Sequence, residues 1–268
     1  MSAPPFRLAL LQSSGHPGEP EKNLAELDEA AARAAAAGAR VLVTSEMFLT
    51  GYALGERTAA YALTEREAVR SLGALARRHG VALVCGYPER AGERVHNSAL
   101  LVGADGARLA GYRKTHLYGD FERAVFTPGA EPVVQATIDG LRVGLMICYD
   151  VEFPENVRAH ALAGTDLLLV PTAQMHPYEF VARSVVPVRA FESQLYIAYV
   201  NRTGSEGEFD FVGLSCLAGP EGGDLVRGSA EKALLFGEAD PAALAESRAR
   251  NPYLADRRAD LHGAPGRA

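Results

Sequence analysis

A chain of 268 residues, 48% hydrophobic and 22% charged, is long enough to bury a large core, and α/β chains of about 250 residues often form one domain. A formal net charge of −6, with no Lys/Arg cluster, argues against general affinity for nucleic acid or anionic lipid. The apolar runs are strand-sized, residues 1–12 lack a signal peptide's apolar region and cleavage site, and three cysteines in dissimilar settings build no disulfide framework. A reduced, cytoplasmic enzyme without a membrane span is therefore expected.

Residues 6–12 read as a first buried strand. Pro20 then opens an Ala-rich helix that Gly38 closes, and residues 40–44 form a second strand. Thr64-Glu-Arg-Glu67 fits a capping box, and its helix closes with Arg77-Arg-His79 and Gly80. Residues 81–86, 98–102 and 109–113 read as strands, the last two joined by an Asp105-Gly106 turn. Residues 141–147 are a strand, Pro154 opens a helix ending near Gly164, and residues 166–170 are the next strand. A helix through residues 189–193, a strand at 195–201, short strands to 238 and a polar tail complete the pattern. The segment around Gly38 is similar to that around Gly164, which predicts two copies of a strand–helix–strand unit in a pseudo-symmetric layered fold. No low-complexity linker intervenes. One domain, 1–268, is expected, with its core over about residues 5–240 and a C-terminal tail at 241–268 placed at an oligomer interface.

Three strand ends carry chemistry. Arg142-Val-Gly-Leu-Met-Ile-Cys148-Tyr-Asp150 runs apolar and stops at a thiol; Val41-Leu-Val-Thr-Ser-Glu46 stops at a carboxylate, and Tyr112-Arg-Lys114 at an ammonium. Ligands of open α/β sheets bind beyond the carboxyl ends of strands, so one pocket can hold all three. The thiolate is the attacking form. Glu46 would take the thiol proton and later activate water, for which its pKa should be raised by burial or by a second carboxylate. Lys114 would stabilise the thiolate and the oxyanion, together with the backbone N–H after Cys148 and the positive start of the helix at Pro154.

Each residue has a plainer reading: buried Cys is a common core filler, Glu46 alone could be a loop carboxylate, and Lys114 an edge-strand charge. Cys85 and Cys216, which lack polar followers, read as filler. His116 and His176 suggest a competing Cys–His site. Neither brings an evident acidic orienter, so His116 reads as structural and His176 as lining the substrate entrance. No His/Cys/Asp spacing resembles a metal-ligand set, and the 27 glycines form no phosphate loop; neither metal nor cofactor is expected.

These motifs resemble the carbon–nitrogen hydrolase (nitrilase) superfamily. The resemblance rests on Ser45-Glu46-Met-Phe-Leu-Thr-Gly51-Tyr52, Tyr112-Arg-Lys114-Thr-His-Leu, Ile147-Cys148-Tyr-Asp150 and Glu152-Phe-Pro-Glu155. Pro171-Thr-Ala, Arg189-Ala-Phe-Glu192 and Asn201-Arg-Thr-Gly204 extend it over nearly the whole chain. It implies a four-layer αββα sandwich, a Glu46–Lys114–Cys148 triad and a second pocket glutamate, Glu122, that holds Lys114 and orients the substrate amide. Within the superfamily the chain is most similar to 5-aminopentanamidase-like aliphatic amidases, through residues 112–120, 148–156, Pro177-Tyr-Glu-Phe180 and Tyr253-Leu-Ala-Asp-Arg-Arg258. That implies a small-molecule amide and water as partners, a homodimer or larger assembly, and a thioester intermediate hydrolysed to a carboxylic acid and ammonia.

An ω-amino amide would bring an ammonium, for which Glu179, Asp120 and the acidic loop Glu206-Gly-Glu208-Phe-Asp210 are candidates. Tyr52, Tyr118 and Tyr149 would instead wall a plain aliphatic pocket. N-carbamoyl amine hydrolysis and nitrile hydrolysis use the same triad; a glutaminase module feeding ammonia to a synthetase is a further alternative, against which no synthetase domain is expected in this chain. A non-catalytic binding scaffold would not require the triad.

Overall fold

A computed structural model describes residues 4–262; residues 1–3 and 263–268, the outermost parts of the expected domain and of its C-terminal tail, lie outside the described residues. Two six-stranded sheets pack face to face. The first comprises β1 (Phe6–Gln12), β2 (Val41–Val43), β3 (Ala82–Ala91), β4 (Arg94–Val102), β5 (Arg108–Arg113) and a distant last strand. The second begins with β6 (Val134–Ile138), β7 (Leu141–Leu145), β8 (Leu167–Pro171) and β9 (Tyr196–Val200). After the hairpin of β10 (Thr203–Glu206) and β11 (Phe209–Val212), the chain adds β12 (Cys216–Ala218) and β13 (Asp224–Arg227) to the second sheet. It then crosses back to place β14 (Ala233–Ala239) on the edge of the first.

The strand orders are β14-β1-β2-β3-β4-β5 and β6-β7-β8-β9-β12-β13. In each, three parallel strands are followed by two antiparallel ones, and an antiparallel strand guards the opposite edge. The repeat expected around Gly38 and Gly164 is thus a repeat of structure. β2 and β8 start at Val41 and Leu167, 126 positions apart, which is also the spacing of the two glycines.

Apolar runs become strands buried on both faces because each sheet is covered twice. Between the sheets, Leu8, Leu10, Val43, Val84 and Leu101 meet Val143, Leu145, Leu169 and Val200. Outside the first sheet lie the helices Pro20–Ala36 and Glu65–His79, whose Leu27, Ala31 and Leu72 face inward. Outside the second lie Pro154–Leu162 and Val186–Ser193 through Val157, Ala161 and Ala190. The result is the αββα sandwich. The capping box forms as read: Thr64 Oγ1 accepts from Glu67 N (3.3 Å), Glu67 Oε2 accepts from Thr64 N (2.9 Å), and Gly80 ends the helix at φ 66°.

The structure differs from the sequence pattern in four places. β3 and β4 run longer than expected, because the polar residues that seemed to end them satisfy one another: Glu89 accepts from Ser98 Oγ (2.8 Å) and pairs with Arg113. β6 pairs with β7 across an Asp139-Gly140 turn, both residues at positive φ. Residues 119–125 form a short helix. The segment from 241 opens with the helix Pro241–Arg250, capped by Asp240 Oδ1 on Ala242 N (2.8 Å) and anchored by buried Leu244 and by Arg248, which pairs with Asp166 (2.8 Å).

Candidate active site

Glu46 lies just past β2, on a loop drawn tightly against the first sheet. A Cβ on Gly86 would sit 2.6 Å from both Ser45 O and Met47 N, so only glycine permits that approach. Met47 takes φ 50°, and Glu46 N donates to Thr172 O (3.2 Å) beyond β8. The carboxylate is fully buried. Its Oε1 accepts from Lys114 Nζ (2.8 Å) and Asn97 Nδ2 (2.6 Å), while Oε2 has no hydrogen-bond partner among the described residues. Burial pushes the carboxyl up to about 7; Lys114 and Asn97 oppose this and Glu122 adds to it.

Lys114 follows β5, and its buried Nζ also donates to Glu122 Oε1 (2.6 Å). Burial alone would lower the lysine, but the Glu122 and Glu46 carboxylates outweigh it and hold the ammonium well above its usual range. Glu122 sits on the helix Gly119–Val125, fully buried, where Tyr52 OH donates to Oε1 (2.8 Å) and Tyr118 N to Oε2 (2.7 Å). It is therefore part of the interior and not a surface loop charge.

Cys148 begins the 3-10 turn Cys148–Glu152 directly after β7's approach, at φ 46°, a conformation that non-glycine residues seldom take. It is 5% exposed, and its Sγ lies 3.7 Å from Gln174 Oε1. Burial and the Glu46 charge raise the thiol well above its usual range; Lys114 and the Ala173 backbone N–H pull the other way. Two carboxylates and one ammonium already leave a buried net charge of −1, so a free thiolate would make it −2. Transfer of the thiol proton to Glu46 keeps the total unchanged.

Asp150 joins the two loops that carry the thiol and the lysine. Its Oδ2 accepts from Tyr112 OH (2.9 Å) and Ile147 N (3.2 Å), and its Oδ1 from Thr115 Oγ1 (2.8 Å) and His116 N (2.9 Å). His116 Nδ1 is 3.0 Å from the same Oδ1 and the ring stacks on Phe153 (4.1 Å), so this imidazole belongs to the Asp150 cluster. Asn201 fixes the chain beyond β8, accepting from Gln174 N (2.7 Å) and donating to Gln174 O (3.1 Å). Asn97 and Gln174 had no role in the sequence reading, and Asp150 and Asn201 entered it only as members of family motifs, with no function of their own.

The remaining expected pocket residues divide. Tyr118, partly buried, meets Tyr149 (5.3 Å) and exposed Tyr178 (6.4 Å) edge-on, while Tyr52 is buried behind Glu122 among Phe121, Phe209 and Phe211. His176 is exposed, with Nδ1 2.5 Å from Glu179 Oε1. Among the described residues no group of three His, Cys, Asp or Glu side chains is arranged to hold a metal, and no helix is long and apolar enough to cross a membrane.

Residues 7–249 match the carbon-nitrogen hydrolase family. The chain belongs to that family. It is 42% identical over 261 residues to a Pseudomonas protegens protein described as hydrolase in pqqF 5'region, covering 96% of this chain and 90% of that one. It is 35% identical over 260 residues to an (R)-stereoselective amidase of a Pseudomonas species, covering 96% and 93%. Among solved structures, a variant of the amidase from Nesterenkonia sp. AN1 superposes with a TM-score of 0.87 at 39% identity, over 96% of this chain and 95% of that chain. That structure shows the acetamide moiety of fluoroacetamide added covalently at the active-site cysteine. This carbon-nitrogen hydrolase is an amidase-type enzyme in the nitrilase superfamily.

Proposed function

We propose that this enzyme hydrolyses a small aliphatic amide to a carboxylic acid and ammonia, with Cys148 as nucleophile, Glu46 as general base and acid, and Lys114 and Glu122 as the charged frame. The observation that carries the reading is the Glu46 carboxylate: Oε1 is committed to Lys114 and Asn97, while Oε2 is buried and free to accept a proton. A carboxyl near 7 can both take and return that proton close to neutrality.

Sγ attacks the amide carbon as its proton passes to Glu46. The oxyanion meets Lys114 Nζ and the Tyr149 N–H, which, in the first turn of the 3-10 segment, has no partner within that turn. Glu46 protonates the departing nitrogen, the carbon–nitrogen bond breaks, and ammonia leaves a thioester. Glu46 then deprotonates water, hydroxide adds to the thioester carbon, and collapse releases the carboxylic acid. The thiolate recovers its proton from Glu46, so atoms and charge balance over the cycle. The (R)-stereoselective amidase at 35% identity and the superposed amidase at 39% support an amide substrate, while a relative at 33% is named a nitrilase and one at 32% a citrullinase.

The test is an ammonia-release panel of short amides, carbamoyl amines and nitriles. Wild type should release ammonia from amides, and Cys148→Ala, which removes one sulfur from a well-packed site, should fold and release none. A folded Cys148→Ala enzyme that still turns over would refute the assignment.

A further inference from the structure

Four residues after Cys148, at the other end of the same 3-10 turn, partly buried Glu152 carries a carboxylate that makes no hydrogen bond and no ion pair among the described residues. Its backbone carbonyl, not its side chain, accepts from Arg189 Nη2 (2.8 Å), and Arg189 Nη1 is spent on Glu192 (3.0 Å). The acidic side chains that the sequence offered for an ammonium are otherwise engaged or exposed. Glu179 pairs with His176 (2.5 Å), Asp120 with Arg123 (3.1 Å), and buried Glu206 with Arg202 (2.7 Å) and Ala53 N (2.7 Å). Asp210 pairs with Ser205, and Glu208 faces solvent.

Glu152 also stands in the right company. The Tyr118 phenol is pushed up to about 12 by burial and by Tyr178, with Glu152 and Cys148 both adding, so it lies within electrostatic reach of both the thiol and this carboxylate. Buried Tyr199 feels the same two groups. Tyr118, Tyr149 and Tyr178 form a run of aromatic rings from the half-buried level to the surface, and such faces attract a cation.

Building on the amidase reading, we propose that Glu152 determines specificity by binding the ammonium of an amide whose acyl chain ends in an amine, with Tyr118 and its neighbouring rings as the aromatic wall. A carboxylate withdrawn from water without a partner is costly, and an incoming ammonium supplies that partner. Burial raises the Glu152 carboxyl to about 7 against the partial pull of Lys114 and Arg189. Of the other groups facing it, Lys114 is held charged by its carboxylates, while the Tyr118, Tyr199 and Cys148 protons are held on by burial. Ammonium binding should therefore strengthen between about pH 6 and pH 8 as Glu152 ionises. Glu46 titrates in the same range but acts on every amide alike, so it cancels in a ratio of two substrates.

The experiment compares kcat/KM for 4-aminobutanamide, 5-aminopentanamide and 6-aminohexanamide with the uncharged pentanamide, hexanamide and heptanamide, each pair matched in length. Wild type should favour at least one amino amide over its match by about tenfold or more, with the ratio rising from pH 6 to pH 8. Glu152→Gln should bring that ratio near one, and Glu152→Asp should restore part of it. A wild-type ratio of one or below, a ratio that falls with pH, or a ratio unmoved in Glu152→Gln would overturn the proposal. These outcomes differ from failure of the amidase reading, in which no amide of either series releases ammonia.

Discussion

Glu46 shows why side-chain chemistry here depends on the whole charge cluster. Lys114 lies between it and Glu122, so one ammonium serves two fully buried carboxylates; burial, with Glu122 adding to it and Lys114 opposing it, raises Glu46 to about 7. The general base proposed for Glu46 works only when ionised, so kcat/KM for an uncharged amide should fall as pH drops through about 7 and level off above it. Glu46→Gln keeps an oxygen for Lys114 but no proton acceptor, and single-turnover ammonia release should slow by roughly 10² to 10⁴-fold. A variant within a few-fold of wild type, with the same acid limb in its pH profile, would remove Glu46 as the base. Glu46, Lys114 and Cys148 were legible because each follows a strand, where α/β sheets deliver their chemistry, and because a carboxylate, an ammonium and a thiol occur there together. Asn97, Asp150 and Glu152 were not, since their meaning lies in partners across the sheet, or in the lack of one.

At the scale of elements, the site depends on how closely loops approach strands. Gly86 in β3 is the clearest case, because a side chain there collides with the backbone on both sides of Glu46. Gly86→Ala should lower stability by about 1–3 kcal/mol and cut turnover by displacing Glu46, with little change for a glycine-to-alanine control at exposed, loosely surrounded Gly223. Thermal denaturation and ammonia release on the same samples check this; an active, equally stable Gly86→Ala enzyme would contradict it. Helix boundaries were largely readable from caps, as at Thr64, Gly80 and Pro154. The extensions of β3 and β4 were hidden because Glu89, His96 and Asn97 look like loop residues until Arg113, Thr127 and Glu46 satisfy them.

At the scale of the molecule, the two halves divide the proposed catalytic residues. The first supplies Glu46, and Lys114 and Glu122 follow its sheet; the second supplies Cys148 after β7. Glu46 and Thr172 stand 126 positions apart, the spacing of β2 and β8, and Glu46 N donates to Thr172 O where those two strands end, so the halves meet beside the site. The repeat was detectable from one Ala-Gly segment in each half, whereas the face-to-face pairing of the halves came only through the family resemblance, because packing of buried strands leaves no alternation to read. A site split in this way exists only while the sheets stay packed. Leu169→Ala, in the middle of β8 and the inter-sheet core, should cost about 2–5 kcal/mol without touching a catalytic group. In a guanidinium titration, ammonia release and far-UV ellipticity should therefore be lost together, at the same lowered midpoint. Activity that disappears well before the secondary structure would mean that the site can come apart while both sheets persist.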